Sequence, residues 1–565
     1  MPDLSVLIAT YNRADLLRAC LDSLSAQSEE PAQYEVVVVD DGSTDHTGEM
    51  LRSYEAPYKL RFERQHNQGQ PAALNRAVSA AHGRFCLFTD DDVLASPNLV
   101  AEHLRTQRAT GGAVVIGKLE LELASRGGLA SYLASWWDAH YAALDSGGRA
   151  PTYTSCYTGN LSAPLDAVRR AGGLDAETAP THDIELGFRL VQLGLPVVYA
   201  PTASASQLYT KGLRETLRDF ERRGTAALAL FERHPQMLSD IPLGAFAEGS
   251  VRVTSALRLL LALRAPVWPV AFVDRGLTKL PSRDRVYRFL QLYCYWRGVR
   301  RVVSDRKLWQ SLTNGVLFLL YHAIGERGEA SSRYIVPADA LARQLAWLRR
   351  RGYAPMSVDE YVRHRSSGKP PPAHSVVLTF DDGYGDNFSA ASPLLRAEAM
   401  SATIFLVSAS VGGANEWDAD TELAGRRLLT WQEIGDLREA GVGFGAHTRS
   451  HASLPSLGLT DAEVEIRGSR EELERRLEIP VPHFAYPYGR AGGAIEALVE
   501  KCGFASACGI RPGRNTFATP LFALRRCEID GRMSLFDFAA TVWLGRPFRL
   551  GLPALRNRRR QDRRA

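Results

Sequence analysis

Two groups of residues in this 565-residue chain have the types and spacing that chemistry asks for. The first is a set of three acidic clusters: Asp40 and Asp41; Asp90, Asp91 and Asp92; and His182-Asp183-Ile184-Glu185. Gathered carboxylates repel one another and cost stability unless a cation or a positive ligand compensates them. Mg2+ or Mn2+ carrying a diphosphate meets that need, because hard oxygen ligands suit such ions. Any one cluster alone is equally well turn or helix-cap chemistry. The second group is Asp381 and Asp382, inside Thr-Phe-Asp-Asp-Gly, followed by His447 and His451. Two histidines four apart can share one helical or turn face, and with a carboxylate they complete a His2Asp site for Zn2+ or a similar cation. The neighbouring carboxylate is then free to take a proton from water.

The elements that must carry these groups are readable from apolar periodicity. Residues 4–9, 35–39, 60–64 and 84–89 read as short buried strands, alternating with helical spacing at 13–26, 44–53 and 72–81. The strand at 35–39 ends in Asp40-Asp41-Gly42-Ser43 and that at 84–89 runs into Asp90-Asp91-Asp92. Such alternation predicts a parallel, doubly wound sheet, and ligands bind such sheets at the carboxyl ends of the strands. A second β and α series starts at 316–320 and includes strands at 375–379, 402–407, 443–446 and 483–486. Between the two series the pattern turns basic and aromatic, with Trp268, Tyr287, Phe289, Tyr293, Tyr295 and Trp296. The expected organisation is therefore 1–240 as a first domain, 241–312 as a basic helical connector, 313–545 as a second domain and 546–565 as an Arg-rich tail.

In this order and spacing the acidic clusters resemble family 2 inverting glycosyltransferases of the GT-A fold, over about residues 3–235. The motifs are SVLIATYNR, VVVDDGSTD, Asn67-Gln68-Gly69 with Asn75-Arg76-Ala77, FTDDDV, TGNLSAPLDAVRRAGGLD and HDIELGFRL. The resemblance implies a Rossmann-like nucleotide-sugar domain in which Thr10, Asp40 and Asp41 hold the nucleotide. Asp90 and Asp92 then form the DxD-type pair, with Asp92 the main metal ligand and Asp90 and Asp91 at the nucleotide-sugar. Asp183 becomes the base that deprotonates the acceptor hydroxyl. His182 stands where the family usually has Glu, and the QxxRW signature of processive synthases is not apparent near 220–224. That favours transfer of one or a few sugars.

The second half resembles the NodB-homology polysaccharide deacetylases of carbohydrate esterase family 4, over about residues 315–530. LLYHAI, LTFDDGY, ATIFLVS, LTWQEI, GAHTRSH and FAYPYGR carry the likeness. It implies a distorted (β/α) barrel with Asp381 as general base and Asp382, His447 and His451 as metal ligands. The backbone N–H of Tyr488 is the implied oxyanion donor. Ala485 replaces the Arg of the family's RxPY motif, and Arg526 is the candidate substitute from another strand. No Leu-x-His segment supplies the usual general acid, leaving the site histidines or His322 for that role.

The implied function is bifunctional. One half moves a sugar from a nucleotide-sugar, UDP-N-acetylglucosamine being the expected donor, to a glycan or lipid-linked acceptor; the other N-deacetylates an acetamido sugar. The alternative keeps the transferase and makes the deacetylase-like half a weak, glycan-binding domain. Composition fits an ordinary globular protein, at 45% hydrophobic and 23% charged. The net charge of +5 conceals two basic stretches: 13 Lys and Arg against three Asp over 252–307, and eight Arg against one Asp over 546–565. These suit an anionic membrane surface, whereas nucleic acid is not expected because no recognition module accompanies them. The seven cysteines show no CxxC pair, as in a reducing compartment. No signal peptide is apparent, and the most apolar stretch, 259–273, is interrupted by Arg264, Pro266 and Pro269, so it reads as interfacial rather than spanning. The expected location is the cytoplasm, with peripheral attachment at the inner membrane face.

Overall fold

Apolar residues on both faces of a strand force layers on both sides of a sheet, and the first strands are of that kind. In the computed structural model, which describes residues 2–123, 128–267, 283–326, 329–418 and 421–550, β1 (Leu4–Thr10), β2 (Tyr34–Asp40) and β3 (Lys59–Arg64) pair in parallel. Leu4, Val6, Ile8, Val36 and Val38 pack on one face against Leu17, Leu21 and Leu24. Leu7, Val37 and Val39 pack on the other against Ala73, Leu74 and Val78. The first sheet has eight strands in the order β3-β2-β1-β4-β7-β6-β8-β5. Its remaining strands are β4 (Phe85–Phe88), β5 (Val93–Ala95), β6 (Val114–Leu123), β7 (Leu161–Pro164) and β8 (Val197–Tyr209).

The sheet is mixed rather than wholly parallel. β7 runs antiparallel to β4 and β6, and β5 antiparallel to β8. The reversal places the start of β7 beside the end of β4, with Phe88 opposite Leu161. The expected helix at 44–53 begins only at Thr47, after a turn in which the Asp45 carboxylate accepts from the Thr47 amide at 3.0 Å.

The second sheet begins with β9 (Val316–Tyr321), beside the small pair β10 (Ala323–Gly325) and β11 (Ile335–Pro337). It continues through β12 (Ala354–Pro355), β13 (Ser375–Phe380), β14 (Thr403–Leu406), β15 (Gly443–Ala446), β16 (His483–Ala485), β17 (Ser506–Cys508), β18 (Arg514–Asn515) and β19 (Cys527–Glu528). Strands β9 and β13 to β17 are parallel neighbours. β19 pairs in parallel with β9, and Leu524, just upstream of it, bridges to Cys508 at the end of β17. The segment 524–528 thus joins the two ends of the row into a closed, irregular (β/α) barrel. Phe318, Val377, Phe405, Ala485, Cys508 and Leu524 share one inner cluster, while a larger cluster lies between the strands and the surrounding helices.

The stretch expected as a connector divides between two compact units. One comprises 1–233 and 257–302, the other 234–256 and 303–565. Helix Arg283–Val302 packs in the first unit against helix Leu213–Arg233, backbone to backbone. A Cβ added at Gly224 would strike the carbonyl oxygen of Tyr295, and one at Gly298 that of Glu221. Glu221 binds Arg297 at 3.0 Å and Arg301 at 2.8 Å, so part of the basicity is matched within the unit. Charge counting along the sequence missed this partner because it lies far upstream. Trp268 and the rest of 268–282, with 551–565 of the tail, lie outside the described residues. All seven cysteines are buried and free. Among the described residues no helix is long and apolar enough to cross a membrane.

Two candidate active sites

In the first unit, parallel pairing brings Thr10 opposite Asp40 at one sheet edge. The Asp40 carboxylate accepts from the Ser43 amide at 2.8 Å and lies 3.4 Å from Arg64. Asp41 accepts from the Gln65 side chain and from the amides of Gln68 and Gly69, at 2.8 to 2.9 Å, tying the second loop to the third. Both aspartates therefore shape the edge where a nucleotide is expected. Thr10 donates its hydroxyl to Asp91 at 2.8 Å.

Asp91 and Asp92 share a cation supplied by the chain itself: Arg13 Nη1 reaches them at 2.8 and 2.9 Å. Gln207 donates to the other Asp92 oxygen at 3.0 Å, and Gln70 donates to Asp90 at 2.9 Å. Three carboxylates against one guanidinium still leave excess negative charge. Burial, then the charges of Asp92, Asp91 and Asp183, push Asp90 up to about 7. Asp183, in the first turn of helix His182–Gln192, belongs to the same electrostatic neighbourhood, and burial raises its pKa too. The antiparallel β7 completes the site: a Cβ at Gly159 would meet Leu119 at 2.9 Å and the Asp90 carboxylate at 3.4 Å. Arg13, Gln70 and Gln207 were given no role on sequence grounds. Arg13 lies within the ATYNR motif, but its partners are 78 and 79 residues away.

In the second unit, Asp381 and Asp382 follow β13, His447 follows β15, and Tyr486 and Tyr488 follow β16. His447 Nδ1 lies 2.8 Å from the Ala485 carbonyl, which can only accept, so that nitrogen carries the proton and Nε2 keeps its lone pair. Burial holds the ring down to about 4, neutral at physiological pH. His447 Nε2 and His451 Nε2 face the same buried Asp382 oxygen at 3.4 and 3.3 Å, and that oxygen has no hydrogen-bond donor. One ligand atom from each of the three residues lies within 4.8 Å of the others, the only such group among the described residues. Two imidazole nitrogens and a carboxylate oxygen fit a zinc-like cation. The acidic cluster of the first unit does not converge in this way, since Arg13 binds two of its members.

Arg526 is fully buried and grips Asp381 with both terminal nitrogens, at 2.6 and 2.7 Å. Burial alone would raise Asp381, but the Arg526 charge prevails and keeps it below the usual carboxylate range. The guanidinium arrives on the segment that closes the barrel, and Ala485, where the related motif has Arg, packs in the inner apolar cluster. Trp417 stacks on His451 at 4.7 Å, and Tyr488 meets it edge-on at the same distance. His322, just past β9, is close enough for its charge to act on both Asp381 and Asp382. Asp382, Thr448, His451 and Tyr488 all have left-handed backbones, with φ of 72, 63, 62 and 57°. Such strain collects where surrounding structure over-determines a functional geometry. Trp417, and Tyr384, whose hydroxyl accepts from Asn415 at 2.7 Å, were not singled out in sequence.

Residues 5–147 match the family model described as Glycosyl transferase family 2, and residues 368–507 that described as Polysaccharide deacetylase. The chain is 29% identical over 265 residues to the poly-beta-1,6-N-acetyl-D-glucosamine N-deacetylase of Escherichia coli (strain K12), covering 40% of this chain and 38% of that protein. It is 33% identical over 225 residues to the validoxylamine A glucosyltransferase of Streptomyces hygroscopicus subsp. limoneus, covering 35% and 49%. The chain thus spans less than half the length of either curated relative. Among solved structures it is similar to the Streptococcus pyogenes deacetylase PplD in complex with acetate, at 25% identity and a TM-score of 0.36, covering 40% of this chain and 98% of that one.

Proposed function

We propose that this chain, which joins a family 2 glycosyltransferase domain to a polysaccharide deacetylase domain, adds an acetamido sugar to a glycan or lipid-linked acceptor and removes the N-acetyl group from that product or its neighbour. The observation that carries the reading is the convergent Asp382, His447 and His451 group beside an Asp381 locked by Arg526. UDP-N-acetylglucosamine is the proposed donor, because one acetamido sugar would then link the two chemistries.

In transfer, Asp183 takes the proton of the acceptor hydroxyl, and its raised pKa makes it a stronger base than an exposed carboxylate. Thr10, Asp40 and Asp41 line the nucleotide edge, and Asp90 and Asp92 would hold Mg2+ or Mn2+. That ion, when bound, offsets the charge of the departing diphosphate. In deacetylation, Asp381 takes a proton from the attacking water while Arg526 fixes its orientation and keeps it ionised. Asp382, His447 and His451 would hold Zn2+ or a similar cation, which polarises the acetamide carbonyl when bound. The Tyr488 amide is the proposed oxyanion donor, and His322 the proposed acid that protonates the departing amine.

The weak-deacetylase alternative was motivated by Ala485, and Arg526 supplies the missing cation from another strand. For peripheral membrane contact the support is narrower. Leu259 and Leu263 are 59% and 68% exposed beside Arg264, whereas Arg297 and Arg301 are engaged by Glu221. Flotation with anionic liposomes tests that contact, and no binding at low salt ends it.

The main test supplies UDP-N-acetylglucosamine, a panel of glycan acceptors, Mn2+ and Zn2+, and follows products by mass. Sugar addition lost only in Asp183→Asn, with acetyl loss abolished only in Asp381→Asn, is the expected result. A product that stays fully acetylated in the presence of active wild-type enzyme would sink the coupling.

A further inference from the structure

Helix Gly128–Asp145 lies in the connection between β6 and β7 and bears an unusual run of rings. Trp136 is 45% exposed, yet it is not a stray surface aromatic. Its ring lies nearly parallel to that of His140, with centroids 5.7 Å apart and planes 14° apart, and meets Trp137 edge-on at 5.2 Å. Trp137 in turn meets Tyr157 at 5.0 Å, and His140 meets Tyr157 at 6.0 Å. Tyr157 lies two residues before Gly159, which abuts Asp90. Burial and the charge of Asp183 raise its hydroxyl to about 12. A continuous train of rings therefore runs from the neighbourhood of Asp183 outward to an exposed indole whose plane is fixed by its neighbours.

The position of this train separates it from the nucleotide edge. Thr10, Asp40 and Asp41 lie at β1 and β2, whereas the ring-bearing helix and Tyr157 belong to the β6–β7 connection, with β4 between the two groups in the sheet order. The aromatic face is the negative side of the ring quadrupole, and the axial C–H bonds on one face of a β-linked pyranose present positive hydrogens to it. Arg149 stands near enough for its charge to act on both His140 and Tyr157, adding hydrogen-bond donors at the rim.

We infer that Trp136, backed by His140 and joined to the site through Trp137 and Tyr157, is an acceptor subsite that stacks a β-linked hexosaminide ring beyond the one whose hydroxyl Asp183 deprotonates. This rests on the acceptor being a glycan, as proposed above. A rigid indole costs little entropy to order, so a flexible chain gains a fixed register for its end.

The test uses the full chain carrying Asp183→Asn and Asp381→Asn, which stops turnover at both sites. It is titrated with β-1,6- and β-1,4-linked N-acetylglucosamine tetramers in the presence of UDP. The deacetylase site contributes equally to every variant, so the change on adding Trp136→Ala reads the first unit. Binding there should weaken by about tenfold or more with Trp136→Ala, and by about threefold or less with Trp136→Phe, which keeps an aromatic face. UDP affinity should stay constant. In the otherwise wild-type chain, acceptor KM should rise without a change in donor KM. Unchanged oligosaccharide binding in Trp136→Ala overturns the inference, as does a parallel loss of UDP affinity or a parent chain that binds neither tetramer. Trp136-dependent binding without sugar transfer from any donor would refute the transfer reading and leave the subsite standing.

Discussion

The two sites handle buried negative charge in opposite ways. In the barrel, each aspartate has a dedicated partner: Arg526 grips Asp381, and His447 and His451 converge on Asp382. In the first unit, three adjacent aspartates share the Arg13 guanidinium, which binds only two of them, and burial together with the neighbouring carboxylates lifts Asp90 to about 7. The barrel site is arranged before any substrate arrives, and its left-handed backbones record that arrangement. The transferase site holds uncompensated charge that a cation and its diphosphate would relieve. A ready-made site suits water as the nucleophile, whereas a site that waits for its donor restrains wasteful hydrolysis of an activated sugar.

The largest expected effects split the comparison cleanly. Asp183→Asn should lower sugar transfer by about 10²- to 10⁴-fold and spare deacetylation, and Asp381→Asn should do the reverse, both read by product mass. If either substitution lowers both rates, the sites are not independent and the contrast fails. Next in size is stability: Arg526→Met leaves Asp381 buried and unpaired, and should cost about 3–5 kcal/mol in denaturant unfolding of the barrel. Adding Asp381→Asn should restore part of that loss, and no recovery would mean that Arg526 acts through packing alone.

Smaller effects sharpen the contrast. Zn2+ should bind the metal-free chain at one site without nucleotide and lose that site in His451→Ala, whereas Mn2+ retention should depend on added UDP. Equal Mn2+ binding with and without UDP would remove the distinction. Last comes pH. Asp90 has a folded pKa raised from its ordinary 3.8 to about 7, so its contribution to stability is fully present below 3.8 and is lost as pH rises through about 7. The melting temperature of the first unit should show that decline in wild type and a flatter profile in Asp90→Asn; identical profiles would count against the charge cluster.

Much of this was legible in the sequence because the chemistry sits where local signals are strong. The aspartates end apolar strands, and the histidines follow a short strand at a spacing that only a local turn has to satisfy. Family motifs carried both domains and their fold class. What the sequence hid are partners brought together by closure. Arg526 could be named as the stand-in for the arginine missing at Ala485, but its grip on Asp381 across 145 residues depends on segment 524–528 completing the barrel, an event no periodicity announces. Arg13 reaches Asp91 only because β1 and β4 are neighbours. The stretch expected as a connector divides between the units for a similar reason, Tyr287, Leu290 and Cys294 packing with Leu213 and Leu217 and Arg297 and Arg301 finding Glu221. The reversed β7 left no distinctive pattern in so short a strand.

The division of the chain into 1–233 with 257–302, and 234–256 with 303–565, carries a consequence for anyone handling the gene. The polypeptide leaves the first unit, returns to it, and leaves again, so neither half is a contiguous cassette. A cut near residue 240 would strip helix Arg283–Val302 from its seat and uncover Leu213 and Leu217, turning a separation of activities into a loss of fold. Recombination that shuffles domains at single junctions cannot pass either half on intact. The transferase and the deacetylase are thereby bound into one heritable piece, and their ratio in the cell is set at one to one by the thread itself.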